Sequence, residues 1–317
     1  MTRVKQFGCQ IVVLFLVLVL FGQQAPAEQV GVQQAGGQIE ADRARSLVEP
    51  IVRVNHEEKT KQPPQLASRV PPPKKPQCPF DLTPRPGEHP LQPALRMAEK
   101  CLAHIDQDIA DYSAVLLKQE RIQGQLGEEQ AAFVKIRHKP FSVYMFFLKP
   151  NKGREVLYNE GPDGTKGVLV AMDSGWKRRF GKLEFDPEGH MAMKDQKYPI
   201  MKLGIKELTK ELILVASNDV KYDECEVKNS QRLLNGRQVT LLEVTHPVPR
   251  RNFRFYKARV FIDNELRLPI RYAAYLWPER PGEAPPLEEV YTYLKLKINN
   301  GFTDLDFDKD NPAIFKN

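Results

Sequence analysis

From residue 93 onward the apolar positions recur with two periods, and these predict most of the elements. Leu95, Ala98, Leu102, Ile105 and Ile109 lie three or four residues apart, which predicts an amphipathic helix over Pro93–Ala110 with proline in its first turn. The period then shortens to two. Tyr112–Ile122 and Glu129–His138 read as strands around Gly124–Gly127, and Phe141–Leu148, rich in aromatic and β-branched residues, as a third. The turn Pro150-Asn151-Lys152-Gly153 leads to Arg154–Asn159, and Gly161-Pro162-Asp163-Gly164 leads to Thr165–Met172. Consecutive strands joined by loops this short imply an antiparallel meander.

Phe141–Leu148 departs from plain alternation. Phe141, Val143, Met145 and Phe147 point one way, and Tyr144, Phe146 and Leu148 point the other. A half-buried strand would alternate apolar with polar. This strand therefore needs a cover on each face, and one of the two is either protein or a ligand.

Asp173–Pro199 is polar and basic and shows no period. Ile205, Leu208, Leu212 and Val215 then mark a second helix over Ile205–Ala216. Strands follow at Val220–Lys228, at Arg237–Thr245 after the hairpin signal Asn235-Gly236, and at Phe253–Ile262, Ile270–Trp277 and Glu289–Ile298. Parallel α/β folds alternate strand with helix. This order of helix, strands, helix, strands predicts an α+β fold, with one large, curved antiparallel sheet and an N-terminal and a central helix packed on it.

The first 92 residues carry little of this periodicity. Arg3 and Lys5, the 11-residue apolar run Ile11–Phe21 and Ala25-Pro26-Ala27 make residues 1–27 a signal peptide, with cleavage expected after Ala27 and a periplasmic or secreted product. An uncleaved anchor is the alternative, although a mature span needs about 20 apolar residues. Eleven of the 26 prolines fall between Pro63 and Pro93, so residues 28–92 read as an extended, flexible leader and 93–317 as the folded domain. The net charge of +7 allows attraction to an anionic envelope surface, and export makes nucleic acid a poor partner. Cys78, Cys101 and Cys225 remain after cleavage, and Cys101–Cys225 is the pair expected to bridge.

Standard catalytic signatures are absent: no G-x-S-x-G, no H-E-x-x-H and no Walker loop. Gly161, Gly164 and Gly167 precede a strand rather than a helix, which makes them a hairpin loop and not a phosphate cradle. His138 and His246 sit at strand ends, where histidine commonly bonds a loop. Asp304, Asp306, Asp308 and Asp310 alternate, but the glycine and glutamate of a calcium loop are missing, and Phe307 and Phe315 suggest a tail docked on the sheet. Trp176-Lys177-Arg178-Arg179 and Arg250-Arg251-Asn252-Phe253-Arg254 mix aromatic with basic residues. Such a mixture suits phosphate head groups, or a solvated loop. No enzyme, cofactor or metal is expected.

The stretches DYSAVLLKQER, IRHKPFSVYMFFLKPNKGREVLY, FIDNELRLPIRYAAYLWP and YTYLKLKINNGFTDLDFD resemble an uncharacterised family of exported bacterial proteins. That family is similar, more remotely, to the periplasmic lipoprotein carriers LolA and LolB and to the sensory regulator RseB. The resemblance implies an open, incomplete β-barrel whose concave face holds an acyl chain or a partner's apolar segment under a helical lid, with no catalytic residue. Strand phase alone places Val134, Ile136, Tyr144, Phe146, Val260, Leu294 and Leu296 on that face, and a one-residue slip would reverse any strand's members. The function expected is an exported module binding a lipid, a lipoprotein acyl chain or another apolar ligand. The alternative is a structural or interaction protein of the envelope with a filled barrel. A groove of several hundred Å³ would separate the two.

Overall fold

The computed structural model describes residues 78–315, Asp223 apart. The chain divides into two units, Met1–Arg69 and Val70–Asn317, and every described residue belongs to the second. The expected signal peptide and the proline-rich stretch as far as Gln77 lie outside the described residues.

Helix α1 spans Gln92–Asp108 and buries Ala94, Leu95, Met97, Cys101 and Ile105. The meander follows: β1 (Asp111–Ile122), the short β2 (Gln125–Leu126), β3 (Gln130–His138), β4 (Phe141–Lys149), β5 (Glu155–Asn159) and β6 (Val168–Met172). The segment without a period holds a 3-10 turn at Gly175–Phe180, the edge strand β7 (Leu183–Phe185) and the one-turn helix α2 (His190–Met193). Helix α3 (Ile205–Asp219) leads to β8 (Glu226–Leu234), β9 (Arg237–Thr245), β10 (Lys257–Asp263), β11 (Pro269–Tyr275) and β12 (Leu287–Ile298).

Two strand starts differ most from expectation, while the strand expected from Thr165 begins at Val168. The strand expected over Val220–Lys228 starts only at Glu226, because α3 runs three residues beyond Ala216 and a turn follows it. The strand expected from Phe253 starts at Lys257. Phe253 and Phe255 instead bury themselves in the preceding loop against His246, with the Phe253 ring stacked 4.0 Å from the imidazole. The folded unit also begins upstream of Pro93, since Phe80 and Leu82 pack on a core cluster and Leu91 belongs to it.

Eleven strands run antiparallel in the order β7-β6-β5-β4-β3-β1-β12-β11-β10-β9-β8, with β2 paired to β1. The sheet is not closed into a barrel: β7 and β8 are its two edges. Its centre is the long β1–β12 pair. Gly204 sets the start of α3 against β1. Its φ is +120°, and a Cβ there would sit 2.9 Å from Tyr112 Oη, which accepts the Ile205 N–H at 2.8 Å.

One face of the sheet, the inner one, lies under the helices. Tyr112, Ala114 and Leu116 of β1, Val134 and Ile136 of β3 and Val143 of β4 form a core there with Ile105, Ile109 and Ile205. A second cluster joins Met97 and Cys101 of α1 to Val244, Ala258, Val260 and Tyr272, with Leu208 and Leu212 of α3 packed on it. The outer face of β4–β6 has its own cover. Tyr144, Leu157, Val170 and Met172 lie beneath Phe307, Ile314 and Phe315 of the C-terminal tail. Each buried phenylalanine stabilises that contact by roughly 1.5–3 kcal/mol. The doubly apolar β4 is thus covered by core on one face and by the chain's own tail on the other.

The tail is tied down by charge. Asp111, 2% exposed, accepts the backbone N–H groups of Asn300, Gly301 and Phe302 at 2.6, 3.1 and 3.0 Å. Asp304, Asp306 and Asp310 pair with Arg137, Lys135 and Lys182 at 2.7, 2.9 and 2.8 Å. Three of the four alternating carboxylates are therefore anchors on basic side chains.

Candidate functional site

A cavity of about 1110 Å³ lies between the inner face, α1, α3 and the segment 183–204. Its wall is mostly apolar. Met145, Phe147 and Val156 come from one half of the sheet, Val260 and Ala258 from the other, and Leu208 and Leu212 from α3.

Among the polar parts of the wall, a buried cluster lies where β1 meets β12. On β1 the inward positions 112, 114 and 116 continue to Lys118 and Glu120, which are 7% and 6% exposed. Glu120 stands directly opposite Glu289 of β12, which is also buried. Two like charges face to face repel each other, so the pair needs cations and donors around it. Lys118 Nζ lies 3.3 Å from Glu120 Oε2 and also donates to Gln196. Glu120 accepts Tyr291 Oη–H at 2.6 Å and the Lys197 N–H at 3.1 Å. Lys197 Nζ donates to Glu288 at 2.6 Å and lies 2.8 Å from Glu289, which accepts Tyr198 Oη–H at 3.0 Å. The network staples Gln196, Lys197 and Tyr198 onto the sheet, and it places phenols and ammonium groups beside an apolar space.

Burial lowers the Lys118 ammonium below its ordinary range, with Glu120 opposing the shift. Burial also disfavours charge on Lys197, but its bonds to Glu288 and Glu289 outweigh that and hold it above its ordinary range. Burial, then the nearby carboxylates, push the Tyr198, Tyr272 and Tyr291 phenols well above theirs. At neutral pH the phenols are donors.

Of the seven residues expected to line a ligand, Val260 is on the cavity wall. Val134, Ile136 and Leu296 share the inner face but pack into the core rather than the wall. Tyr144 and Phe146 are a correction: the phase of β4 is the reverse of the expected one, so Met145 and Phe147 face the cavity while Tyr144 and Phe146 lie under the tail. Leu294 is a second. A bulge at Lys295, whose φ is +51°, switches the phase of β12, so Tyr291 and Tyr293 face inward before it and Leu296 after it. The polar cluster was missed. Its signal in the sequence is the pair of charges, Lys118 and Glu120, that continues an otherwise apolar stripe.

The remaining candidates take structural places. His138 Nδ1 bonds the Ile109 carbonyl at 2.8 Å, and burial lowers its imidazole below the ordinary range. The wholly buried His246 turns Nδ1 to the Phe255 carbonyl and lies 3.3 Å from Asp219. Cys101 is a free, buried thiol, so the expected Cys101–Cys225 disulfide is not formed. The Cys225 sulfur is instead 3.8 Å from His89 Nε2. Among the described residues no group of three or more His, Cys, Asp or Glu side chains is arranged for a metal ion, and no helix is long and apolar enough to cross a membrane.

The family described as protein of unknown function (DUF1571) matches residues 109–314, well over half of the chain. No curated protein matches it significantly. Similar solved structures include the lipoprotein LppX of Mycobacterium tuberculosis, at 12% identity over 68% of this chain and 100% of that one, TM-score 0.37. They include the Pseudomonas aeruginosa MucA/MucB complex, at 15% identity over 68% and 60%, TM-score 0.34. A LolA superfamily protein from Nitrosomonas europaea follows at 11% identity over 67% and 98%, TM-score 0.19. Matches this loose carry no argument about kinship or a ligand.

Proposed function

This chain belongs to the DUF1571 family, and we propose that it is an exported, non-catalytic module that holds an apolar or acylated ligand, a lipoprotein acyl chain among them, in the cavity on the inner face of its sheet. The observation that supports this is the cavity itself: about 1110 Å³, with mostly apolar walls and a buried polar cluster where β1 meets β12. Ligand sites commonly occupy about 300–1,000 Å³, with a few polar groups fixing orientation. An acyl chain held there gains about 0.8 kcal/mol per buried methylene, so affinity needs no chemistry on the ligand. The phenols and Lys118 suit a hydrogen-bonding head at one end of an apolar body. A barrel filled by its own side chains would leave no such space, so the alternative of a purely structural protein has less support.

The test is binding of a solvatochromic apolar probe. Val260→Trp puts an indole into the cavity from a position that already faces it. Probe affinity should fall while the unfolding midpoint stays close to wild type. Tyr144→Leu, on the outer face, should leave affinity unchanged. A wild type that binds no apolar probe, or a Val260→Trp variant that binds as well as wild type, counts against the reading. Native mass spectrometry of protein from its own envelope, followed by lipid extraction, would identify the occupant. For export, N-terminal sequencing should begin at Glu28, and recovery of an intact Met1 or Thr2 terminus would refute cleavage.

A further inference from the structure

Two aromatic-and-basic stretches stand out in the sequence, and the structure treats them differently. In the second, Arg250 pairs with Glu224, Arg254 pairs with Glu211, and Phe253 is buried on His246. That stretch thus has two of its three arginines neutralised and its aromatic ring packed away. In the first, Trp176 and Phe180 project from the Gly175–Phe180 turn at 65% and 57% exposure, their rings 5.9 Å apart. Arg179 lies over both, 4.8 and 5.2 Å from the ring centres, and has no carboxylate partner among the described residues. Residues 174–182 hold four basic side chains and no acidic one; Arg178 and Lys182 pair with Glu155 and Asp310, which leaves Lys177 and Arg179 as the exposed charges of the turn. Lys177 reaches Asp173 only at 3.9 Å and is 54% exposed. The turn is nevertheless firmly set, because Arg178 reaches back to the Gly153 carbonyl at 3.0 Å and to Glu155 at 2.8 Å.

We infer that this turn docks the protein on an anionic lipid bilayer, with the cavity mouth beside the docked surface. Indole and phenyl rings carrying a guanidinium at their faces suit the level of lipid head groups, where an apolar body and a charged tip are both accommodated. Lys177 and Arg179 add attraction to anionic lipid. The second link is position. Lys177, Leu183 and Met191 line the cavity, and Leu183 and Met191 are 49% and 66% exposed, so the rim of the cavity continues into the docking turn. An apolar ligand would pass between bilayer and cavity with little exposure to water. That transfer step rests on the proposed function; the docking does not.

The experiment is flotation of the mature protein with vesicles of phosphatidylglycerol and phosphatidylethanolamine, against vesicles of phosphatidylcholine alone. Wild type should float with the anionic vesicles, and less so as salt rises. Trp176 emission should shift to the blue and be quenched by brominated lipid, with Trp176→Phe as the control that removes the signal. Trp176→Ser/Phe180→Ser and, separately, Arg179→Glu should each weaken partitioning about five-fold or more. All three variants alter exposed side chains, so their unfolding midpoints and probe affinities should match wild type. Unchanged flotation in both weakened variants overturns the docking site. So does a wild type that ignores anionic vesicles, or one that binds a soluble anionic polymer in their place. Vesicle binding by a wild type that takes up no apolar probe would leave the docking standing and remove the carrier.

Discussion

Replacing Lys118 by methionine tests whether the polar end of the cavity is dry. Lys118 and Glu120 are both buried, and their charged atoms are 3.3 Å apart. At an effective dielectric of about 20 this separation corresponds to roughly 5 kcal/mol of attraction, much of it offset by the cost of taking two ions out of water. Methionine retains the packing of the stem and deletes the charge. Glu120 would then stand opposite Glu289 with only Tyr291 Oη–H and the Lys197 N–H as donors, and Gln196 would lose its partner. Removing one member of a buried pair costs about 3–5 kcal/mol. The two surviving donors lower the expected loss to about 2–3 kcal/mol. Lys118→Met/Glu120→Gln leaves no stranded charge; its amide oxygen still accepts the Lys197 N–H, and the Tyr291 hydroxyl can turn to accept from the amide NH2, so it should recover at least half of that loss. Urea unfolding followed by circular dichroism measures both, and an unchanged m-value licenses the comparison. A single-variant loss below about 0.5 kcal/mol, the size of an ordinary surface substitution, would show that water in the cavity solvates the carboxylate. A double variant no more stable than the single one would refute the pairing.

Alkaline pH should act through the buried phenols. Those of Tyr198, Tyr272 and Tyr291 are held above their ordinary value of 10.0, so their contribution is intact below that pH and is lost as pH climbs past it towards the folded values. Phenolate absorbance should therefore rise together with unfolding, and full phenolate absorbance in a protein with native circular dichroism would contradict this. Asp111→Ala strands three backbone donors at the root of the tail and should cost about 2–4 kcal/mol, with protease cutting after Asn300 sooner than in wild type. An equally resistant tail would mean that Phe307 and Phe315 suffice to hold it. Burial pushes the Cys101 thiol up to about 11, so peptide mapping after alkylation near neutral pH should find it unmodified until the protein is unfolded. Labelling of Cys101 in the native state would place α1 in open exchange with solvent.

What depends on neighbours along the chain was legible in the residues alone. The period of Leu95–Ile109 specified α1, the alternation from Tyr112 to Met172 specified the meander, and Asn235-Gly236 specified the β8–β9 hairpin, within a residue or a few. Together these point to one antiparallel sheet with helices on it, because a parallel fold would alternate strand with helix. Which side of a stripe meets which partner depends on contacts between distant segments. In β4 both faces are apolar, so nothing local distinguishes Tyr144 and Phe146 from Met145 and Phe147. The tail, more than 150 residues later, makes the choice by covering one face. In β12 a single residue, Lys295, takes positive φ and inverts the phase that simple alternation assigns to Leu294. The polar patch has the same origin. Glu120 and Glu289 are far apart in the chain and become a problem needing Lys118, Lys197 and the tyrosines only once β1 and β12 pair. The cavity belongs to no single segment. It is the space left when α1, α3 and the 183–204 segment close over a sheet too wide for them to fill, and periodicity carries no information about that space.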